Sequence, residues 1–266
     1  MTEYQTLNVK IDDQGVAFVE MNRPEKRNAL SSQMMDDLTD VAATLGTDLN
    51  IRAIVLSGNG DIFCAGGDLD WMKEQIAADR ETRMAEAGRL AAMLGALNTM
   101  PKPLIGRIHG AALGGGIGMA CVCDVAIAQT GTKFGLTETR LGLIPATIGP
   151  YVIARMGEGF ARRVFMSARI FGAEEAQTLG IIAKHVDAAD IDAAIAAEVE
   201  PYLNVAPAAV GAAKRLARGL GPVIDQAAID YSIEQLANTW EGEEAAHGLD
   251  AFLTKSAPRW AKPKST

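Results

Sequence analysis

Two glycine clusters and one carboxylate are the residues of this chain whose types and spacing could do chemistry. FCAGGDL, residues 63–69, follows the apolar run IRAIVLSG, and ALGGGIG, residues 112–118, follows LIGRIHG. Each cluster sits where a strand pattern gives way to a helix. At such a turn, backbone N–H groups are left without helical acceptors, and glycine lets a ligand approach them closely. Two N–H groups converging from different turns on one oxygen make an oxyanion hole, which stabilises charge developing on a carbonyl. Tight strand–helix packing would account for the same glycines equally well. The carboxylate is Glu138, within the apolar stretch FGLTETRLGLIP. Burial would raise its pKa and suit it to acid or base work. A partly exposed Glu138 paired with Arg140 or a lysine is the plainer alternative.

Other chemistries lack their residues. His109, His185 and His247 are far apart, and neither HExxH nor CxxC occurs, so no metal site is expected. There is no GxSxG elbow and no GxxxxGK[ST] loop. A dinucleotide fingerprint begins at Gly114 and Gly116 but ends on Met119, so no nicotinamide cofactor is expected.

The elements that must position these residues alternate. LNVKIDDQGVAFVEM reads as two strands around an Asp12–Gly15 turn. Leu30, Met34, Leu38, Val41 and Leu45 have helical spacing, stopped at Gly46. A strand at 51–58, one long helix from Leu69 to Leu97 and a strand at 104–110 follow. Then come strands CDVAIAQ and TKFGL, helices at 148–156 and 160–166, helix AEEAQTLG and strand IIAKHVD. Beyond residue 188 the chain is Ala-rich, charged and helical. We divide it into an α/β core, 1–200, and a helical region, 201–266. Such terminal helices either dock on a partner subunit or pack on their own core.

At 266 residues the chain can bury a sizeable core. A net charge of -8 gives no electrostatic support for a nucleic-acid partner. The three cysteines suggest no disulfide framework and fit a reducing compartment. The start of the chain carries acids and no apolar leader pattern. The longest uncharged apolar run, 108–123, is shorter than the roughly 18 residues of a membrane span. A cytoplasmic protein with no membrane association is the expectation.

Five ordered segments resemble the crotonase (enoyl-CoA hydratase/isomerase) superfamily, covering nearly the whole chain. They are MNRPEKRNALSSQMMDDL, GDIFCAGGDLDWM, IGRIHGAALGGGIGMACVCDVAIA, KFGLTETRLGLIPATIGPYVIARMG and AEEAQTLGIIAKHV. The resemblance implies an α/β spiral of ββα turns with a helical C-terminal trimerisation region, assembling as a homotrimer or as a hexamer of paired trimers. It implies an acyl-CoA thioester as substrate and no separate cofactor, since coenzyme A is part of that substrate. By matching positions, Gly67 and Gly115 would supply the oxyanion hole and Glu138 the acid/base. Arg27, Ala29 and Ala65 would frame the CoA groove, with Lys26 or Arg27 near the phosphates. Asp68 and Leu69 would lie along the pantetheine and adenine. Phe252 and Lys255 match a part that often reaches a neighbour's CoA.

One position departs from the family's pattern. Two-glutamate hydratases carry their first glutamate where this chain has Gly118. A single base suffices for 3,2-enoyl-CoA isomerisation, which only moves a proton from C2 to C4. Hydration also needs a held water. Asp70 or Glu74 could replace the missing acid, although a solvated helix face is the plainer reading of both. The segment FGLTETRLGLIPATIGPYV, however, resembles bacterial single-glutamate members assigned as hydratases of methylglutaconyl-CoA-like, branched substrates. Hydratase is therefore the first reading and isomerase the second. A non-catalytic acyl-CoA binder is the alternative of another class.

Overall fold

The computed structural model describes residues 3–261. Strands β1 (Leu7–Ile11) and β2 (Val16–Met21) form the expected antiparallel hairpin. Its turn is closed by the Asp12 carboxylate, which accepts the N–H groups of Gln14 at 3.0 Å and Val16 at 2.8 Å. After a 3-10 turn at Pro24–Lys26, helix α1 (Ser32–Thr47) starts on a Ser31 cap. It runs through Gly46, where the sequence predicts its end. Gly46 is buried, and a Cβ there would lie 3.4 Å from both Met100 and Pro101, so this glycine serves packing.

Strand β3 (Ala53–Gly58) leads to α2 (Leu69–Ala77) and α3 (Arg80–Thr99). The apolar spacing predicts one helix here. The chain breaks at Ala78 because Asp79 accepts the Thr82 N–H at 2.8 Å and caps a new helix. Next come β4 (Leu104–Ile108), β5 (Ala111–Leu113), α4 (Gly115–Val122), β6 (Val125–Gln129) and β7 (Lys133–Gly135). A 3-10 turn at Glu138–Leu141 precedes α5 (Gly149–Met156), α6 (Glu158–Phe165), β8 (Phe171–Gly172), α7 (Ala173–Thr178) and β9 (Lys184–Val186). The short strands β5 and β8 go beyond what the sequence pattern predicts. The tail is α8 (Ile191–Leu203), α9 (Pro207–Leu220), α10 (Gln226–Trp240) and α11 (Glu243–Leu253).

One sheet has the order β1-β2-β3-β4-β6-β9 and is parallel from β2 onward. The other has the order β5-β7-β8, and single bridges extend its edge through Cys64–Ala112 and Leu30–Gly67. Each winding of the chain thus gives a long strand to the first sheet, a short extended piece to the second, and then a helix. This is the spiral that the family resemblance implies. Phe63, Phe134, Leu56, Met34 and Leu94 are fully buried within it, each contributing about 1.5–3 kcal/mol by burial. Helix α8 covers the outer face of the large sheet, packing Ile191, Ile195 and Val199 on Val55, Ile105 and Ile127.

Two consequences bear on the site. Residues 64–67, β5 and β7 are neighbours in the second sheet, so the turns that follow them open at one edge. Helices α10 and α11, for their part, pack on their own core. Trp240, Ala245 and Leu249 are buried with Leu143, beside Met72, Leu141 and Leu236. Helix α9 differs, leaving Leu216 at 64% and Leu220 at 81% exposure. Among the described residues no helix is long and apolar enough to cross a membrane.

Candidate active site

The turns after residues 64–67, β5 and β7 meet at a cavity of about 850 Å³. Three backbone hydrogen bonds tie them together. The Leu113 N–H donates to the Cys64 carbonyl at 3.0 Å, Gly114 to Gly135 at 2.8 Å, and Leu30 to Gly66 at 2.8 Å. The Leu30 carbonyl in turn accepts the Asp68 N–H at 3.1 Å, so the Gly67 N–H, lying between these two bonds, is turned away from Leu30. Gly115 opens α4, where an N–H has no helical acceptor. The two turns approach closely: a Cβ on Gly66 would stand 3.7 Å from the Gly115 nitrogen.

Glu138 begins the 3-10 turn after β7 and faces the same cavity. It forms no ion pair with Arg140 or with any lysine among the described residues. Its Oε2 is buried without a hydrogen-bond partner. Burial pushes its carboxyl up to about 7, opposed in part by a backbone hydrogen bond. Gly114 makes room for it. A Cβ at Gly114 would lie 2.9 Å from Glu138 Oε1, and its φ of +48° also favours glycine.

The four glycines of ALGGGIG therefore have separate reasons. Gly114 yields to Glu138, and Gly115 presents an N–H. A Cβ on Gly116 would press on the Cys64 carbonyl at 2.6 Å, and one on Gly118 would meet Ile148 Cγ2 at 2.7 Å. The space beside Gly118 is thus filled by Ile148 and holds no acid. Asp70 is an exposed rim residue, held below the usual carboxylate range by hydrogen bonds from Lys26 and Lys73. Glu74 is exposed and does not line the cavity.

Arg27, Ala29, Ala65, Asp68 and Leu69 all line the outer part of the cavity. The backbone there is fixed by Arg27, whose carbonyl accepts the Ala65 N–H at 3.0 Å, and by buried Asn28, whose amide donates to Asn59 and Ile62 carbonyls. The Asp68 side chain is committed inward. It caps α2 through the Asp70 N–H at 2.8 Å and pairs with Arg23 at 2.8 Å. Phe252 lines the cavity of its own chain, whereas Lys255 does not and stands exposed just beyond α11.

Several residues at or just behind the cavity wall escape sequence reasoning. Arg23 ties Asp68 to the Ala29 carbonyl, reached at 2.9 Å. Trp71 donates its indole N–H to Glu86 at 2.8 Å, fixing α2 against α3. Thr147, Ile148, Leu236 and Trp240 also face the cavity. No local pattern marks them, because their partners lie on distant elements. Only Trp71, directly after the GGDLD turn, had a positional cue.

The comparisons agree with this geometry. The enoyl-CoA hydratase/isomerase family model matches residues 12–263. A Mycobacterium bovis relative, named "Probable enoyl-CoA hydratase echA8", is 31% identical over 260 residues, 97% of this chain and 98% of its own. The crystal structure of an enoyl-CoA hydratase from Shewanella pealeana superposes with a TM-score of 0.79 at 36% identity, covering 97% of both chains. That of an enoyl-CoA hydratase from Mycobacterium avium does so at 0.84 and 27%, covering 97% of this chain and all of the other. With the spiral, the paired glycine turns and the match along nearly its full length, this chain belongs to the enoyl-CoA hydratase/isomerase family, the crotonase superfamily.

Proposed function

We propose that the protein is an enoyl-CoA hydratase, adding water across the 2,3 double bond of an enoyl-CoA. The observation that carries this reading is the Glu138 carboxylate, with Oε2 buried and unpartnered and its pKa raised to about 7, set against the Gly114 turn, which itself abuts Gly66. The thioester oxygen accepts from the N–H groups of Gly67 and Gly115, which stabilise it most as an enolate. Glu138 takes a proton from water as oxygen bonds to C3, and returns it to C2. Arg27, Ala29, Ala65, Asp68 and Leu69 frame the CoA arm, largely through backbone, and Lys26 and Arg27 supply positive charge for its phosphates.

The inner cavity is lined by Met35, Leu90, Leu143, Ile144, Ile148 and Trp240, which suits an apolar, branched acyl chain. Arg140 also lines the cavity and has no ion-pair partner among the described residues. It is the cation available to a terminal carboxylate, as in a methylglutaconyl-CoA-like substrate. The exposed leucines of α9 support a homotrimer, or a hexamer of trimers, in which Lys255 reaches a neighbour's CoA. Cys64, Cys121 and Cys123 are free and buried, which fits a cytoplasmic enzyme.

The second reading, 3,2-enoyl-CoA isomerase, is favoured by one observation: Ile148 fills the space beside Gly118, leaving a single carboxylate. Mass spectrometry separates the two. A panel of 2-enoyl-CoAs, including crotonyl-CoA and 3-methylglutaconyl-CoA, is incubated with enzyme in deuterated water. A product heavier by one water establishes hydration. Deuterium entering unhydrated substrate establishes reversible deprotonation, and CoA-thioester binding with neither change establishes a binder.

A further inference from the structure

A second residue lining the same cavity carries a buried polar atom without a partner. Thr147 is 3% exposed, and its Oγ1 makes no hydrogen bond. Orphaned buried polar atoms are uncommon and destabilising, so a carboxylate oxygen and a hydroxyl left unpartnered on residues of one cavity call for a shared explanation. The positions are linked through α4. Gly114 abuts Glu138, and Gly118 abuts Ile148, the residue after Thr147. The Gly118 N–H donates to the Gly114 carbonyl at 3.3 Å, so these contacts lie one helical turn apart, about 5.4 Å along the axis.

We infer that Thr147 is a positioning residue for the attacking water, which lies between its hydroxyl and Glu138. A buried water needs two to four polar partners, roughly, and these two groups offer the first pair. The inference rests on the hydratase reading and supplies what a single carboxylate lacks. With Ile148 excluding an acid at Gly118, Glu138 must both accept and deliver the proton, and the water must be held by something else. The Thr147 hydroxyl donates to the water oxygen or accepts one of its hydrogens. Glu138 accepts the other hydrogen as that oxygen bonds to C3. The C2=C3 electron pair moves toward C1, and the thioester oxygen becomes the enolate. The same proton then passes from Glu138 to C2. One water is added, and Glu138 ends as it began.

The test compares wild type with Thr147→Val, which keeps the shape and removes the hydroxyl, and Thr147→Ser, which keeps the hydroxyl. Hydration is followed on the best substrate of the panel. The expected result is a kcat about ten- to a hundredfold lower for Thr147→Val, the scale of one lost positioning hydrogen bond. KM stays within about twofold, and Tm stays close to that of wild type, because the valine keeps the shape and packing of the threonine. Dehydration of the 3-hydroxyacyl-CoA slows by the same factor, since both directions share one transition state. Thr147→Ser recovers most of the rate. Wild-type hydration by Thr147→Val overturns the inference, as does a rate loss that follows a loss of Tm and is not recovered by serine. A wild-type enzyme that exchanges deuterium but adds no water overturns the hydratase reading, and the water site falls with it.

Discussion

Gly118 and Ile148 compete for one space: a Cβ on Gly118 would lie 2.7 Å from Ile148 Cγ2. The contact joins α4 to the start of α5 and settles what the inner wall is made of. Introducing the acid alone therefore gives no second catalytic group. Gly118→Glu should lower stability by roughly 3 kcal/mol, through overpacking and a buried carboxylate. Adding Ile148→Ala to it should recover part of that loss, although Ile148→Ala alone destabilises. Urea denaturation of the four proteins closes the cycle, and additive effects would show that the two residues do not share the space.

Glu138→Gln should abolish nearly all turnover while CoA-thioester binding persists. Its effect on stability has the opposite sign. The carboxyl is raised from 4.5 in the unfolded chain to about 7 when folded, so the native state binds the proton more tightly. Its favourable contribution is complete below about pH 4.5 and is lost as pH rises through about 7. Above pH 7, Glu138→Gln should be more stable than wild type by roughly 1–3 kcal/mol. Retained turnover would remove Glu138 from the mechanism.

The same ionisation governs the rate. Glu138 accepts a proton only as the carboxylate, so kcat/KM should rise tenfold per pH unit on the acid side and level off near pH 7. A pH–rate profile between pH 5 and 9, within the stable range, would read this limb. A profile flat across pH 7 would mean that the carboxylate is already ionised in the free enzyme.

Much of this was legible in the sequence, and the division is physical. The hairpin turn, the apolar spacing of α1 and the core strands declare themselves through short-range pattern. So do the glycine turns, whose backbone geometry is local. The break between α2 and α3 was carried by Asp79 and Thr82, a cap signal overridden by the continuous apolar spacing. Gly46 misled because it packs on Met100 and Pro101, more than fifty residues away. Leu236 and Trp240 became part of the site only once the tail had folded back on the spiral, since contact between distant elements leaves no local trace.

Asp68→Ala should destabilise the fold by roughly 2–4 kcal/mol, because it removes the α2 cap and leaves Arg23 without its carboxylate. It should also raise KM for every acyl-CoA alike, since the Gly67 turn is held beside it. A KM effect confined to one acyl chain would place Asp68 in substrate selection instead.

Arg140→Gln should leave crotonyl-CoA turnover unchanged and raise KM for 3-methylglutaconyl-CoA by about tenfold, the worth of a half-exposed charged hydrogen bond. Equal KM changes for both substrates would assign Arg140 a general role in the fold.

The enclosure of the cavity has a consequence for how such an enzyme changes over time. The groups proposed to move protons and hold the oxyanion come from the middle of the chain, whereas Leu236, Trp240 and Phe252 come from its last two helices. Part of the container is thus written in a stretch of the gene separate from the reacting groups. Substitutions in α10 and α11 can reshape the chamber while leaving the reacting groups as they are. A chain cut before α10 would keep every one of those groups, yet present them in a trough open to bulk water. New acyl preferences can therefore arise by editing the tail alone.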